Sequence, residues 1–194
     1  MKGIILQPGA FNPVHRRHLA IADDAKKRFP DYKHTFLLSR NTCDKGIISI
    51  QDMGARIEAI IKHKHNAAWI ESGLFIDNIR ETIAQNKGDD IQIVFAVGED
   101  TLYRFARDWD NYYLDVEGVD KLAEYKKHFT NVIWYVTKRN CPELMGEVKR
   151  LSKYKGTLDN IIWSDLELDD ISSTQIREKE QKEKGGILTQ FTGK

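Results

Sequence analysis

Short apolar runs alternate along most of the chain with longer stretches whose hydrophobic positions recur at helical spacing. Gly3-Ile4-Ile5-Leu6 reads as a strand that stops at Gln7-Pro8-Gly9, and from about His15 to Phe29 the residues Leu19, Ala22 and Ala25 share one helical face. The same alternation predicts strands at Thr35-Phe36-Leu37-Leu38 and Ala68-Trp69-Ile70, with helices over Ile50 to Ile61 and Phe75 to Ala84. Ile91 to Val97 is the strongest strand signal, and Asn131 to Val136 and Asn160 to Trp163 are further strands flanking a helix over Pro142 to Leu151. A last helix is expected from Ser172 onward. Continuous apolar strands separated by helices imply a sheet covered on both faces, because a half-solvated antiparallel sheet shows polar alternation. The predicted fold class is therefore α/β, a doubly wound, mostly parallel sheet with right-handed crossovers.

Composition narrows the function classes. The 194 residues suit a single domain, 1–194, with Gly185-Gly186 ending the last helix and 185–194 a short C-terminal tail. Charged residues make up 30% of the chain at a formal net charge of +1, so neither a nucleic acid nor an anionic membrane has an electrostatic claim on it. The run Arg177 to Lys184 reads as a solvated helix of opposite-charge pairs. Cys43 and Cys141 have no metal-ligand spacing and form no disulfide framework, which suits a reducing, cytoplasmic setting. The apolar run near the N-terminus is too short for a signal peptide or a membrane span. Self-association is left open.

In a doubly wound sheet the ligand crevice lies beyond the carboxyl ends of the strands, which directs attention to the first loop, Pro8-Gly9-Ala10-Phe11-Asn12-Pro13-Val14-His15-Arg16-Arg17-His18. Gly9 permits close backbone approach and the prolines restrict the loop. His15 and His18 arrive together at a helix start, where unpaired N–H groups and the helix dipole favour a phosphate. Taken alone, the loop also admits a plain turn with surface histidines, or a metal held by the two imidazoles. No HExxH-like carboxylate accompanies them, so no dedicated metal site is assigned. Near the other end, Ile171-Ser172-Ser173-Thr174-Gln175-Ile176-Arg177 reads as a capped helix start, with an arginine one turn in that makes it a second candidate anion site.

Together the two segments resemble the nucleotidyltransferase superfamily, with its GxFxPxHxGH-like loop and ISSTxIR motif, and the resemblance implies a Rossmann-like nucleotidyltransferase fold. Gly98-Glu99-Asp100-Thr101-Leu102, followed by Trp109, is similar to the GxDxL...W segment of the nicotinamide and nicotinate mononucleotide adenylyltransferases, and fainter echoes run through Asp44-Lys45-Gly46, Arg56 and Trp69 to Ser72. The implied activity is adenylyl transfer from ATP to a small phosphorylated acceptor, with magnesium arriving on the nucleotide. Cytidylyl transfer and a phosphopantetheine acceptor are the alternatives within the enzyme class, and a catalytically weak nucleotide-binding protein is the alternative outside it. The resemblance implies His15, His18 and Arg177 as catalytic. It implies Pro8, Gly9, Ala10, Phe11, Asn12, Gly98, Asp100, Ser172, Ser173 and Thr174 as nucleotide-binding, and Lys45 and Trp109 as acceptor-binding, Trp109 by stacking on a pyridine ring. Two positions depart from the pattern. Arg17 replaces a glycine, which either lowers activity or supplies a phosphate ligand, and Glu99 replaces a small residue, which bears on the acceptor.

Overall fold

The computed structural model describes residues 2–42, 46–86, 91–112, 127–151 and 158–167. The helix expected from Ser172 and the tail at 185–194 lie outside the described residues. The predicted strands form as β1 (Lys2–Gly9), β2 (Lys33–Thr42), β4 (Ala67–Ser72), β5 (Ile91–Gly98), β6 (Val132–Thr137) and β7 (Ile161–Ser164). The predicted helices form as α1 (Arg16–Arg28), α2 (Ile50–Lys62), α3 (Phe75–Gln85) and, after β6, α6 (Leu144–Leu151). Three short elements add to that pattern: β3 (Gly46–Ile47), α4 (Glu99–Arg107) and α5 (Trp109–Tyr112). The helix α4 carries Glu99 and Asp100 in its first turn and Arg104 and Arg107 in its last, the arrangement that complements a helix dipole.

β1 lies near the middle of the sheet. It pairs in parallel with β2 on one side and β5 on the other, and β4, β6 and β7 extend the two flanks in parallel. The chain thus winds outward from β1 through β2 to β4, then returns to build β5, β6 and β7 on the opposite side. The reversal falls between β1 and β5, whose ends at Gly9 and Gly98 open the switch-point crevice of a doubly wound sheet. Asn41 pairs with Ser72 of β4 and also with Ile47 of the antiparallel β3, so β3 sits beyond the end of β1, at the mouth of that crevice.

Both faces of the sheet are buried, as the continuous apolar strands require. Along β5, Ile93, Phe95 and Val97 join α3, α4 and α6 in one core, whereas Val94 and Ala96 pack with Ile21 and Ala25 of α1 in another. Phe36 and Leu38 of β2 meet Met53 and Ile60 of α2 in a third cluster. The larger core is aromatic, with the Trp134 ring centroid 4.8 Å from Phe105 and 5.2 Å from Phe95 and Phe75. Among the described residues no helix is long and apolar enough to cross a membrane.

One polar network ties α1 to the far strands. The Asp24 carboxylate accepts from the Tyr135 hydroxyl of β6 and from the Ser164 hydroxyl of β7, the latter at 2.6 Å. Desolvation first, and then the Asp24 carboxylate, pushes the Tyr135 phenol above its ordinary pKa. Asp24→Asn removes the charge and keeps an acceptor. Tyr135 is therefore expected to titrate at lower pH than in the wild type while remaining above a free tyrosine, which ultraviolet difference titration checks.

Candidate active site

The loop after β1 is held in shape by its own buried phenylalanine. Phe11 adopts a left-handed backbone conformation at φ 44°, one that a bulky residue seldom takes unless its surroundings enforce it. Its ring is buried and meets the rings of Phe36 and His18 edge to face, each at 5.0 Å. Gly9 is required beneath it, since a Cβ there would lie 2.8 Å from the Phe11 ring. Arg56 of α2 donates to the Ala10 carbonyl at 2.9 Å and fastens the loop from the other side.

The loop delivers His15 as the N-cap of α1 and His18 one turn later, with their rings stacked at 3.8 Å. The His15 backbone N–H donates to His18 Nδ1 at 3.3 Å. That bond leaves the His18 proton on Nε2, so the ring is a neutral donor. Burial, followed by the charges of His15, Arg17 and Arg139, lowers the His18 pKa from 6.5 to about 3. Desolvation and the same arginines also lower that of His15.

These residues line a cavity of about 600 Å³ at the crevice. Pro8, Gly9, Ala10, Phe11, Asn12, His15 and His18 come to it from the first loop, and Gly98 and Asp100 from the end of β5. Nine of the expected site residues thus line one cavity. A Cβ at Gly98 would meet the Asp100 carboxylate at 2.7 Å. Lys45, Ser172, Ser173, Thr174 and Arg177 lie outside the described residues.

Trp109 departs from the expectation. It is 0% exposed, with its ring enclosed between Phe105 at 5.5 Å and Phe129 at 5.8 Å, so it has no open face for a ligand. The acidic neighbours Asp108 and Asp110 suggest a surface position, but α5 turns the indole inward to complete the aromatic core. A smaller cavity, about 180 Å³, adjoins the crevice and shares Pro8, Gly9 and Ala10 with it. Its aromatic wall is made by Phe75, Phe105 and Tyr112. Trp109 supports that wall from behind through Phe105.

The crevice also gathers four arginines, of which Arg104 and Arg139 belong to no motif. Arg17, Arg56, Arg104 and Arg139 all line it, beside the carboxylates of Asp52 and Asp100. Arg17 is only 5% exposed, so the residue replacing the loop glycine belongs to the site and not to the solvent. Arg139 follows β6 and donates to Asp100 at 3.0 Å. Its one sequence signal is its place just past the end of a strand adjacent to β5. Glu99 accepts from the backbone N–H groups of Arg139 at 2.6 Å and Cys141 at 3.1 Å. It anchors the loop that presents Arg139 and lines neither cavity. Among the described residues no three His, Cys, Asp or Glu side chains are grouped to hold a metal.

Residues 6–179 match the family model described as cytidylyltransferase-like, which spans most of the chain. The chain belongs to the cytidylyltransferase-like family. No curated protein matches it in sequence. Among solved structures it is similar to the Plasmodium falciparum nicotinic acid mononucleotide adenylyltransferase complexed with NaAD, at a TM-score of 0.59 and 16% identity over 92% of this chain and 83% of that one. The same enzyme complexed with APC gives a TM-score of 0.58 at 14% identity, again over 92% and 83% of the two chains. At these identities the likeness establishes the Rossmann-like α/β fold that the family model implies.

A histidine whose pKa falls on folding destabilises the folded state in acid, because the unfolded chain binds the proton that the buried ring refuses. His18 and His34 both drop from 6.5 to about 3, so their contribution to stability is complete above pH 6.5 and is lost as the pH falls toward 3. Urea denaturation across that window is expected to show stability rising with pH. His18→Gln is expected to flatten part of the slope.

Proposed function

We propose that this cytidylyltransferase-like chain transfers an adenylyl group from ATP to nicotinamide or nicotinate mononucleotide, with release of pyrophosphate. The observation that carries the reading is the pairing of an arginine- and histidine-lined crevice with a smaller aromatic-walled cavity across the shared backbone of Pro8, Gly9 and Ala10. A triphosphate suits the first, and a flat ring suits the second. The solved relatives, bound to APC and to NaAD, support the same assignment of nucleotide and product.

In this mechanism an oxygen of the acceptor phosphate attacks the α-phosphorus of ATP, the new P–O bond forms, and the bond to the bridging oxygen of pyrophosphate breaks with its electron pair leaving on pyrophosphate. The attacking oxygen is already ionised near neutral pH, so no protein base is needed. The work left to the chain is positioning and charge stabilisation. His18 Nε2–H donates to an α-phosphate oxygen as charge accumulates there, and its low pKa keeps it a neutral donor throughout the physiological range. His15 and the crevice arginines hold the β- and γ-phosphates. Ser172, Ser173, Thr174 and Arg177 are assigned to the departing pyrophosphate, and Lys45 to the acceptor, by their place in the family motifs. Magnesium arriving with the nucleotide would supply charge neutralisation along the triphosphate.

A second reading, a nucleotide-binding protein with little turnover, draws on the burial of Arg17 in the crevice. Two measurements separate them. Magnesium-dependent pyrophosphate release is expected from ATP in preference to CTP, with a pyridine mononucleotide in preference to phosphopantetheine, and His18→Ala should lower kcat about 100-fold. Arg17→Gly should weaken ATP binding roughly tenfold if the guanidinium contacts phosphate. ATP binding without release for any acceptor would select the second reading.

A further inference from the structure

We propose that Gln7 and His34 are positioning residues for His18, joined in a buried relay that runs from β2 through β1 into the first turn of α1. Gln7 is 3% exposed and His34 2%, both on the sheet face beneath α1. Gln7 Nε2 donates to the His18 carbonyl at 3.0 Å, and Gln7 Oε1 lies 3.0 Å from His34 Nε2. The directions are forced. A carbonyl only accepts, so the Gln7 amide must turn its NH2 toward His18 and its oxygen toward His34, and His34 must carry its proton on Nε2.

The consequence is a defined tautomer for His34 and a fixed backbone carbonyl for His18, whose ring tautomer is set by the His15 N–H. His34 Nδ1 is left bare, and it is buried with no hydrogen-bond partner among the described residues. An unmet buried acceptor costs free energy, and an apolar pair of similar volume would fill the same space without it. What the polar pair adds is a directed hold on the backbone of His18. The same His34 ring meets Phe36 edge to face at 5.0 Å, Phe36 meets Phe11 at 5.0 Å, and Phe11 meets His18 at 5.0 Å. His34 therefore reaches the His18 backbone through Gln7 and the His18 ring through two phenylalanines. Neither Gln7 nor His34 belongs to a motif of the loop or of the C-terminal segment.

The kinetic arm of the test rests on the nucleotidyl-transfer reading, and a spectroscopic arm does not. Pyrophosphate release and the ring nitrogen chemical shifts of His18 are compared in the full chain and in Gln7→Met, His34→Met and His34→Gln. Gln7→Met and His34→Met are expected to lose about tenfold in kcat while KM for ATP stays within about twofold, the signature of a misplaced donor and not of lost binding. His34→Gln offers an amide N–H in place of Nε2–H and should restore most of that rate. In the wild type the two His18 nitrogens should be widely separated in shift, as one held tautomer requires, and the separation should narrow in both methionine variants and recover in His34→Gln. Unchanged kcat and unchanged His18 shifts in the methionine variants would overturn the relay whatever their melting temperatures, as would a His34→Gln variant indistinguishable from His34→Met. If the wild type releases no pyrophosphate, the transfer reading fails and the His18 shifts alone decide the relay. If Gln7→Met does not fold, the two His34 variants decide it.

Discussion

The parallel pairing of β1 on both of its edges is the constraint on which the rest of the site depends. It fixes Gly9 beside Leu38 in one direction and, through the β5 register, sets the end of β1 close to Gly98 in the other. Strands held this way end at one edge of the sheet, and the loops that follow them have nowhere to go but the crevice. The loop after β1 then has to reverse direction into α1 within a few residues. It does so around Phe11, whose buried ring over-determines a backbone conformation that would not persist in an isolated loop.

Charge in the crevice is organised by the same geometry. Arg17, Arg56, Arg104 and Arg139 come from α1, α2, α4 and the loop after β6, four segments far apart in the sequence. The burial of the first turn of α1, and then the nearby charges of Arg17 and Arg139, disfavour an imidazolium, so His15 and His18 are kept neutral beside the arginine-lined wall of the crevice. The arrangement suits a ligand whose own charge is supplied by phosphates. Glu99 contributes indirectly, by accepting from the backbone of the loop that carries Arg139.

The fold was legible because its strands are buried on both faces. Ile91 to Val97 is apolar at nearly every position, and the observed strand separates those residues into two cores by simple alternation. The first loop was legible for a different reason, since glycine, prolines and paired histidines before a helix are a local arrangement whose parts need no distant partner. Trp109 was not. Its flanking aspartates gave it a surface context in one dimension, while the packing of α5 against Phe105 and Phe129 decides its side. Arg139 was equally hidden, because a lone Lys138-Arg139 pair has no pattern until β6 is placed next to β5.

By itself, then, the sequence determined the order and type of the main elements, the doubly wound class, and the loop that lines the crevice, all of which rest on local periodicity and local backbone chemistry. The tertiary structure decided which arginines converge, that Arg17 is turned into the crevice, that Trp109 is core, and that Gln7 and His34 join beneath α1. Those outcomes depend on contacts between residues tens of positions apart. Such contacts are set by strand order and burial, which no short window of sequence contains.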